Sequence, residues 1–275
     1  MNTKDLIKHK EIIVEITVFM LGLLASIFGV IGGSIYSILG GVFAVAASLL
    51  ALLYSVREKA LSNAKERKFE VLEHFDLGSP PSDDLTDLEW DGKNLLFVGR
   101  INGVNGLFRL DNEFNAVPFI QPDEGWFWKI AFNKNYFVVR ISEGTKFGIL
   151  EYTENGKLLN SIKLRIEEFE HPGFLIFDGK YYWIGFDVVN RVYKLSERFE
   201  VIDQFTTLHR LLCAAYADGS LWVSDASTIY QYDLLFNNID RFNYPGTSCS
   251  GLTFDNKTMW SLDKTTKSLR KHSWK

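Results

Sequence analysis

Side chains that could bind a ligand lie at corresponding positions of recurring sequence units, and in the loops between those units, within residues 100–263. Arginine and histidine donate hydrogen bonds, aspartate accepts them, and tryptophan offers a large apolar surface. Together they suit a small polar ligand, an anion or a peptide. The predicted ligand-binding residues are Arg100, Trp126, Trp128, Arg140, His171, Asp187, His209, Arg210, Asp225 and Asp263.

The same residues give weaker grounds for catalysis. Glycosidases use paired carboxylates, but Asp187, Asp225 and Asp263 each precede a turn whose backbone amides they could bind. The sequence has no GxSxG, P-loop, CxxC or HExxH motif and no His/Cys cluster. We therefore expect no catalytic residue, no metal and no cofactor, and the prediction favours a protein that is not an enzyme.

The elements that position these side chains repeat along the sequence. Each unit has an apolar strand, a turn with Asp-Gly or Asn, and an aromatic strand. Asp, Asn and Gly tolerate the positive φ of tight hairpin turns. The units are LEWDGKNLLFVGR (88–100), IAFNKNYFVVR (130–140), LIFDGKYYWIGFD (175–187), AAYADGSLWVSD (214–225) and LTFDNKTMWSLD (252–263).

Two further strand-like segments follow most of the units, such as GLFRLD (106–111) and AVPFI (116–120). Four strands in about 40 residues is the spacing of a propeller blade. The fifth unit lacks a fourth strand, and KFEVLEHFDL (68–77) resembles the fourth strands of other units. We therefore predict an all-β propeller of five blades, closed by this N-terminal strand. A sixth blade would need about 30 more residues.

The last three units resemble the DG-x-LW-x-x-D repeats of bacterial NHL and YncE-like propellers. In this sequence the motif residues are Trp183, Trp222 and Trp260, followed by Asp187, Asp225 and Asp263. The first two units depart from the motif, with Phe97 and Phe137 near the Trp position and Arg100 and Arg140 near the Asp position. The resemblance covers residues 68–275 and implies a fold but no activity.

An uncharged apolar stretch precedes the repeats and is too long for one membrane span. A single helix needs about 20 apolar residues to cross a bilayer. Gly32-Gly33-Ser34 divides the stretch into spans of about 14–32 and 35–54. We predict a transmembrane helical hairpin over residues 1–56, a charged helical linker over 57–68 and the propeller over 69–275. A secretory signal peptide is the competing interpretation, but its apolar core would be shorter.

Charge predicts the side of the membrane. Lysine and arginine flank both outer ends of the hairpin, whereas its connecting turn is uncharged. Cytoplasmic flanks are rich in Lys and Arg, so both termini and the propeller should face the cytoplasm at the inner membrane. If one helix alone spans, the propeller would lie outside. The repeat region has more acidic than basic residues, which disfavours nucleic acid as a partner.

The two cysteines, Cys213 and Cys249, occupy similar positions in successive units. We interpret them as small buried side chains in neighbouring strands. A disulfide between them would require an oxidising compartment.

Small residues such as Gly22, Gly29 and Gly40 recur at helical spacing in the hairpin. Such rows let helices approach closely in lipid, either within one hairpin or between copies in a homo-oligomer. The favoured function is a membrane-tethered propeller that senses or binds an unknown protein or small ligand without catalysis. One alternative is a membrane-disrupting effector gated by ligand binding to the propeller. The other is a membrane-bound hydrolase such as a glycosidase.

Overall fold

The computed structural model describes residues 70–77, 84–141, 147–164, 166 and 172–273. The predicted hairpin, the linker and His171 lie outside these residues. Within the described ranges, no helix is long and apolar enough to cross a bilayer.

Twenty strands form five antiparallel sheets of four strands each. The first strand is β1 (Glu70–Asp76). The first blade contains β2 (Asp84–Trp90), β3 (Leu95–Ile101), β4 (Val104–Leu110) and β5 (Ala116–Ile120). The second contains β6 (Trp126–Asn133), β7 (Asn135–Ile141), β8 (Phe147–Tyr152) and β9 (Leu158–Ile162).

The remaining strands continue the same pattern. The third blade contains β10 (Pro172–Phe177), β11 (Tyr182–Phe186), β12 (Arg191–Leu195) and β13 (Val201–Thr206). The fourth contains β14 (Cys213–Ala217), β15 (Ser220–Ser224), β16 (Thr228–Tyr232) and β17 (Asn238–Asn243). The fifth contains β18 (Cys249–Phe254), β19 (Met259–Asp263) and β20 (Ser268–Ser273).

The strand β1 completes the fifth blade. It pairs with β20 in antiparallel register, from Glu70 opposite Ser273 to Asp76 opposite Ser268. The predicted five blades and their closure by the N-terminal strand are both confirmed. This pairing joins the two ends of the ring, so the fifth blade has a complete outer strand.

Apolar side chains are buried between neighbouring blades. Each of the five interfaces has its own cluster of buried apolar residues. The repeated tryptophans Trp183, Trp222 and Trp260 are buried in three successive clusters. They therefore pack between neighbouring blades.

The repeated turn aspartates secure the turns between first and second strands. In Asp91, Asp178 and Asp255, Oδ1 accepts hydrogen bonds from the backbone amides two and three residues later. Oδ2 of Asp178 and Asp255 also accepts a bond from the indole N–H of Trp183 and Trp260. One carboxylate therefore ties the turn to the interface between blades.

One histidine is enclosed in the fifth blade. The side chain of His272 is fully buried and its Nε2 lies 2.7 Å from Ser261 Oγ. Burial lowers the pKa of His272 to about 4, so the ring is neutral at physiological pH. The residue lies on β20, whose β1 and β19 neighbours enclose it.

Candidate functional site

The inner strands begin on the face of the propeller that also carries the turns between second and third strands. We call this face the cavity face. At its centre lies an axial cavity of about 470 Å³, lined by residues from all five blades. Its wall is mostly apolar and includes Leu85, Trp128, Pro172, Leu212 and Cys249. A mostly apolar cavity with a few polar groups is the usual form of a ligand site.

β-Bulges shape the cavity. The pairing of first and second strands slips by one residue in four blades, at Thr86, Trp128, Gly173 and Ser250. All four residues line the cavity. A bulge leaves one residue unpaired and re-aims its side chain, so the slips turn a regular strand edge into a shaped wall. The fourth blade pairs without a slip.

A buried lysine lies in the wall of the axial cavity. Lys129 follows the bulge at Trp128 and is only 3% exposed. Its ammonium donates to the backbone carbonyl oxygens of Thr86, Leu212 (2.9 Å) and Ser250 (3.5 Å). These carbonyls come from the first blade, the start of the fourth and the fifth, so Lys129 links them to the second blade. No carboxylate in the described part of the chain forms an ion pair with it.

Two carboxyl groups, Asp87 and Glu89, lie on the inner strand β2 outside the lining of the axial cavity. Burial raises the pKa of Asp87 to about 7, although the charge of Lys129 and the amide of Ile130 act in the opposite direction. Burial also raises the pKa of Glu89 to about 8. At neutral pH both groups therefore hold much of their proton, and the positive charge of Lys129 is only partly offset.

A second pocket adjoins the axial cavity between the first two blades. This side pocket, of about 240 Å³, shares Thr86 and Trp128 with the axial cavity and adds Arg100, Asn105 and Trp126. The indole N–H of Trp128 donates to the carbonyl of Pro172 at 2.9 Å. This bond fixes the ring, which lines both the axial cavity and the side pocket. Trp126 is 53% exposed.

Two predicted binding residues form an ion pair at the edge of the cavity. Arg210 donates two hydrogen bonds to the carboxylate of Asp187, at 3.1 and 2.6 Å. Asp187 lines the cavity, while the Arg210 side chain is largely exposed. The carboxylate of Asp187 therefore stabilises the loop that precedes the fourth blade, rather than the turn that follows Asp187 in the sequence.

The other two predicted aspartates are engaged in their own turns. Asp225 accepts bonds from the amides of Ser227 and Thr228 and from the hydroxyl of Tyr230. Asp263 is fully buried and bonded to Arg270 Nη1 at 2.6 Å.

Burial opposes the ionisation of Asp263, but the Arg270 bond and the amides of Thr247 and Thr266 outweigh it. The pKa of Asp263 is therefore held below its usual range. The carboxylate of Asp263 therefore has a structural role.

Arg140 and His209 lie outside the lining of both pockets. Arg140 is partly exposed near the end of β7. The ring of His209 stacks on Tyr230 at 4.0 Å between centroids. His171 is outside the described residues. Thus Trp128 and Asp187 line the axial cavity, Arg100, Trp126 and Trp128 line the side pocket, and Arg210 bonds to Asp187.

The cysteines lie beside the cavity wall. Cys213 and Cys249 are fully buried free thiols whose sulfur atoms are 3.4 Å apart. They belong to β14 and β18, the inner strands of neighbouring blades. The prediction of two buried side chains in neighbouring strands is confirmed. Among the described residues, no group of three His, Cys, Asp or Glu side chains could hold a metal ion.

Sequence reasoning missed Lys129, Asp87 and Lys264. Lys129 interrupts the apolar run WFWKIAF, and Asp87 precedes the first apolar unit. A charged residue inside an inner strand is the signal that could have identified the first two. Lys264 lines the cavity and pairs with Asp84 at 2.7 Å, and only the closed ring brings those two residues together.

No protein-family model matches this chain, and no curated protein sequence matches it. Solved structures share its fold. Glutaminyl cyclase from Myxococcus xanthus superposes with a TM-score of 0.60 at 8% identity, over 76% of this chain and 97% of that one.

Two other propellers superpose less closely. A streptogramin B lyase gives a TM-score of 0.48 at 10% identity, over 75% and 98% of the two chains. The calcium-binding protein regucalcin from Agrobacterium tumefaciens gives 0.45 at 13% identity, over 69% and 75%. At these identities the likeness shows the propeller fold alone, and the named proteins have different functions.

Proposed function

We propose that this chain is a membrane-tethered binding module whose propeller takes a small ligand in the axial cavity without changing it chemically. The observation that carries the proposal is the cavity of about 470 Å³, to which every blade contributes a wall. Its size suits a small molecule rather than a protein segment with its own fold.

The aspartates of the cavity face support binding over catalysis. Asp225 and Asp263 are held by hydrogen bonds within their own turns, and Asp187 is held by Arg210. A carboxylate that already serves as a structural acceptor is poorly placed to act as a nucleophile or base.

The membrane tether is proposed from the apolar stretch before residue 56. The strand β1 begins at Glu70, opposite Ser273, and therefore starts at the face opposite the cavity. We propose that the hairpin holds the propeller at the inner membrane, with both termini in the cytoplasm.

Ligand capture by the full-length chain in lipid nanodiscs tests the binding role. The chain would be equilibrated with a small-molecule extract of the cells that produce it, washed and denatured, and the released compounds measured by mass spectrometry. Val188→Trp should block the cavity, because Val188 lines it and is 68% exposed. Leu235→Trp is the matched control, since Leu235 is 74% exposed in the turn between β16 and β17 on the opposite face.

We expect a compound enriched on the unaltered chain and on Leu235→Trp but lost from Val188→Trp. The proposal fails if no compound is enriched, or if Val188→Trp retains the same compounds.

A hydrolase is the second candidate, favoured by the raised pKa values of Asp87 (about 7) and Glu89 (about 8). Groups that titrate near neutral pH can transfer protons. If this candidate is right, Asp87→Asn abolishes turnover of the captured compound while leaving its capture intact. Recovery of the compound unchanged after long incubation with the unaltered chain would exclude it.

A further inference from the structure

We infer that the ligand of the axial cavity is an elongated anion with an apolar body. Its anionic group would lie against Lys129, and its body would extend along Trp128 into the side pocket. This inference rests on the proposed binding function and adds the chemical class of the ligand.

The charge of the cavity carries the first step. The ammonium of Lys129 is buried and is bound by carbonyl oxygens, which are dipoles and leave its net charge in place. A buried charge without a counter-ion is costly, and the site would be stabilised by an anion that enters it.

Neighbouring groups leave this charge only partly compensated. Asp87 forms no ion pair with Lys129 among the described residues, and it holds much of its proton at neutral pH. The carboxylates that line the two pockets are each paired with a cation, Asp84 with Lys264 and Asp187 with Arg210. The axial cavity therefore presents a net positive charge.

The hydrogen bonds of Lys129 leave room for an anionic oxygen. Its contact with the Ser250 carbonyl is 3.5 Å long, at the outer limit for a hydrogen bond. An anionic oxygen is a stronger acceptor than a carbonyl and could take over that third donor. The bonds to Thr86 and Leu212 can remain.

The apolar wall defines the rest of the ligand. Leu85, Pro172 and Leu212 line the axial cavity, and the ring of Trp128 lines both this cavity and the side pocket. The side pocket continues toward the exposed ring of Trp126. A hydrocarbon chain or ring system attached to the anionic group can extend along this path and bury its carbon atoms.

A matched pair of compounds tests the inference. Binding of 4-phenylbutyrate and of the uncharged 4-phenylbutyramide would be measured by isothermal titration calorimetry on the full-length chain in nanodiscs, with empty nanodiscs as the blank. The two compounds differ in charge but have nearly the same size. We expect the carboxylate to bind at least about ten-fold more tightly, the effect of one hydrogen bond to a charged group.

Substitution of the lysine shows whether it is the source of the preference. Lys129→Gln keeps an N–H donor for the carbonyls but removes the charge. We expect it to lower the affinity for 4-phenylbutyrate to that of the amide and to leave the affinity for the amide unchanged. Lys257→Gln is the control, since Lys257 is exposed in the turn between β18 and β19 on the face opposite the cavity, and it should retain the preference.

The path toward the side pocket has its own test. Trp126→Ala removes an exposed ring and should weaken 4-phenylbutyrate but not benzoate, which is too short to reach it. Equal losses for both acids would contradict the elongated pose.

Several outcomes overturn the inference. They are equal affinities for the acid and the amide, no binding of 4-phenylbutyrate, or an unchanged preference in Lys129→Gln. If both compounds bind equally and Val188→Trp abolishes both, the cavity remains a ligand site and only the anionic class of ligand is wrong.

Discussion

The two ends of the propeller are built on different principles. At the face opposite the cavity, the turns between first and second strands are alike in three blades, where Asp91, Asp178 and Asp255 make the same pair of backbone bonds. At the cavity face the corresponding positions hold unlike residues, such as Arg100 and Asp187.

This difference separates folding from function. Repetition at the opposite face follows from a local requirement, since each hairpin needs the same turn whatever its neighbours are. The cavity face has no such common requirement, so its bulges and side chains can differ from blade to blade. The axial cavity lies at the face where the residues differ from blade to blade.

A pair of glycines should give the largest contrast between the faces. A Cβ on Gly173, at the cavity face, would lie 1.4 Å from the carbonyl oxygen of Leu211. Gly179 lies in a turn on the opposite face, has a φ of 92° and has open space around it. We expect Gly173→Ala to lower the free energy of unfolding by about 3 kcal/mol or more, and Gly179→Ala by about 1 kcal/mol.

Urea unfolding of the two variants measures both effects. A larger loss in Gly179→Ala would mean that local turn conformation, and not close approach of blades, limits stability.

The two carboxyl groups of β2, Asp87 and Glu89, should make the stability of the propeller depend on pH. The pKa of Asp87 rises from 3.8 to about 7 and that of Glu89 from 4.5 to about 8. The folded protein holds these protons more tightly than the unfolded chain, so their contribution is complete at low pH and is lost as pH rises through the folded values. We expect the free energy of unfolding to fall by roughly 2 kcal/mol between pH 6.5 and 8.5.

His272 acts in the opposite direction only below pH 6.5, because its pKa is lowered to about 4. Urea titrations above that pH therefore isolate the carboxyls. Glu89→Gln should remove most of the slope, whereas Glu70→Gln, at an exposed position of β1, should retain it. A slope that persists in Glu89→Gln would assign the effect elsewhere.

The turn aspartates should give the smallest of the three effects and test whether repeated residues play one role. Asp178 accepts bonds from two amides and from Trp183 Nε1 at 2.7 Å. Asp178→Asn would place an amide N–H against the indole N–H, and we expect a loss of about 1.5 kcal/mol. Asp218 is exposed, and Trp222 Nε1 donates instead to the carbonyl of Ala217.

Asp218→Asn is therefore the matched control and should change stability by less than about 0.5 kcal/mol. Thermal unfolding at constant pH compares the two variants. Similar losses would show that Asp218 has a structural role like that of Asp178.

Much of the fold was predictable because its signals are local. The turn residues, the buried tryptophans and the spacing of the units identify five blades, and the segment before the first unit supplies β1. The candidate site was only partly predictable. Trp128 and Asp187 were identified from residue type. Lys129 and Asp87 were missed because the repeat pattern predicts apolar inner strands.

The sequence by itself determined the repeat, its hairpin turns and the number of blades, since these depend on residues a few positions apart. The hairpin at residues 1–56 remains a prediction from apolar length. Only the tertiary structure decided the site. Register slips at Thr86, Trp128, Gly173 and Ser250 shape the cavity wall, and closure of the ring carries the Lys129 ammonium to carbonyls of three other blades.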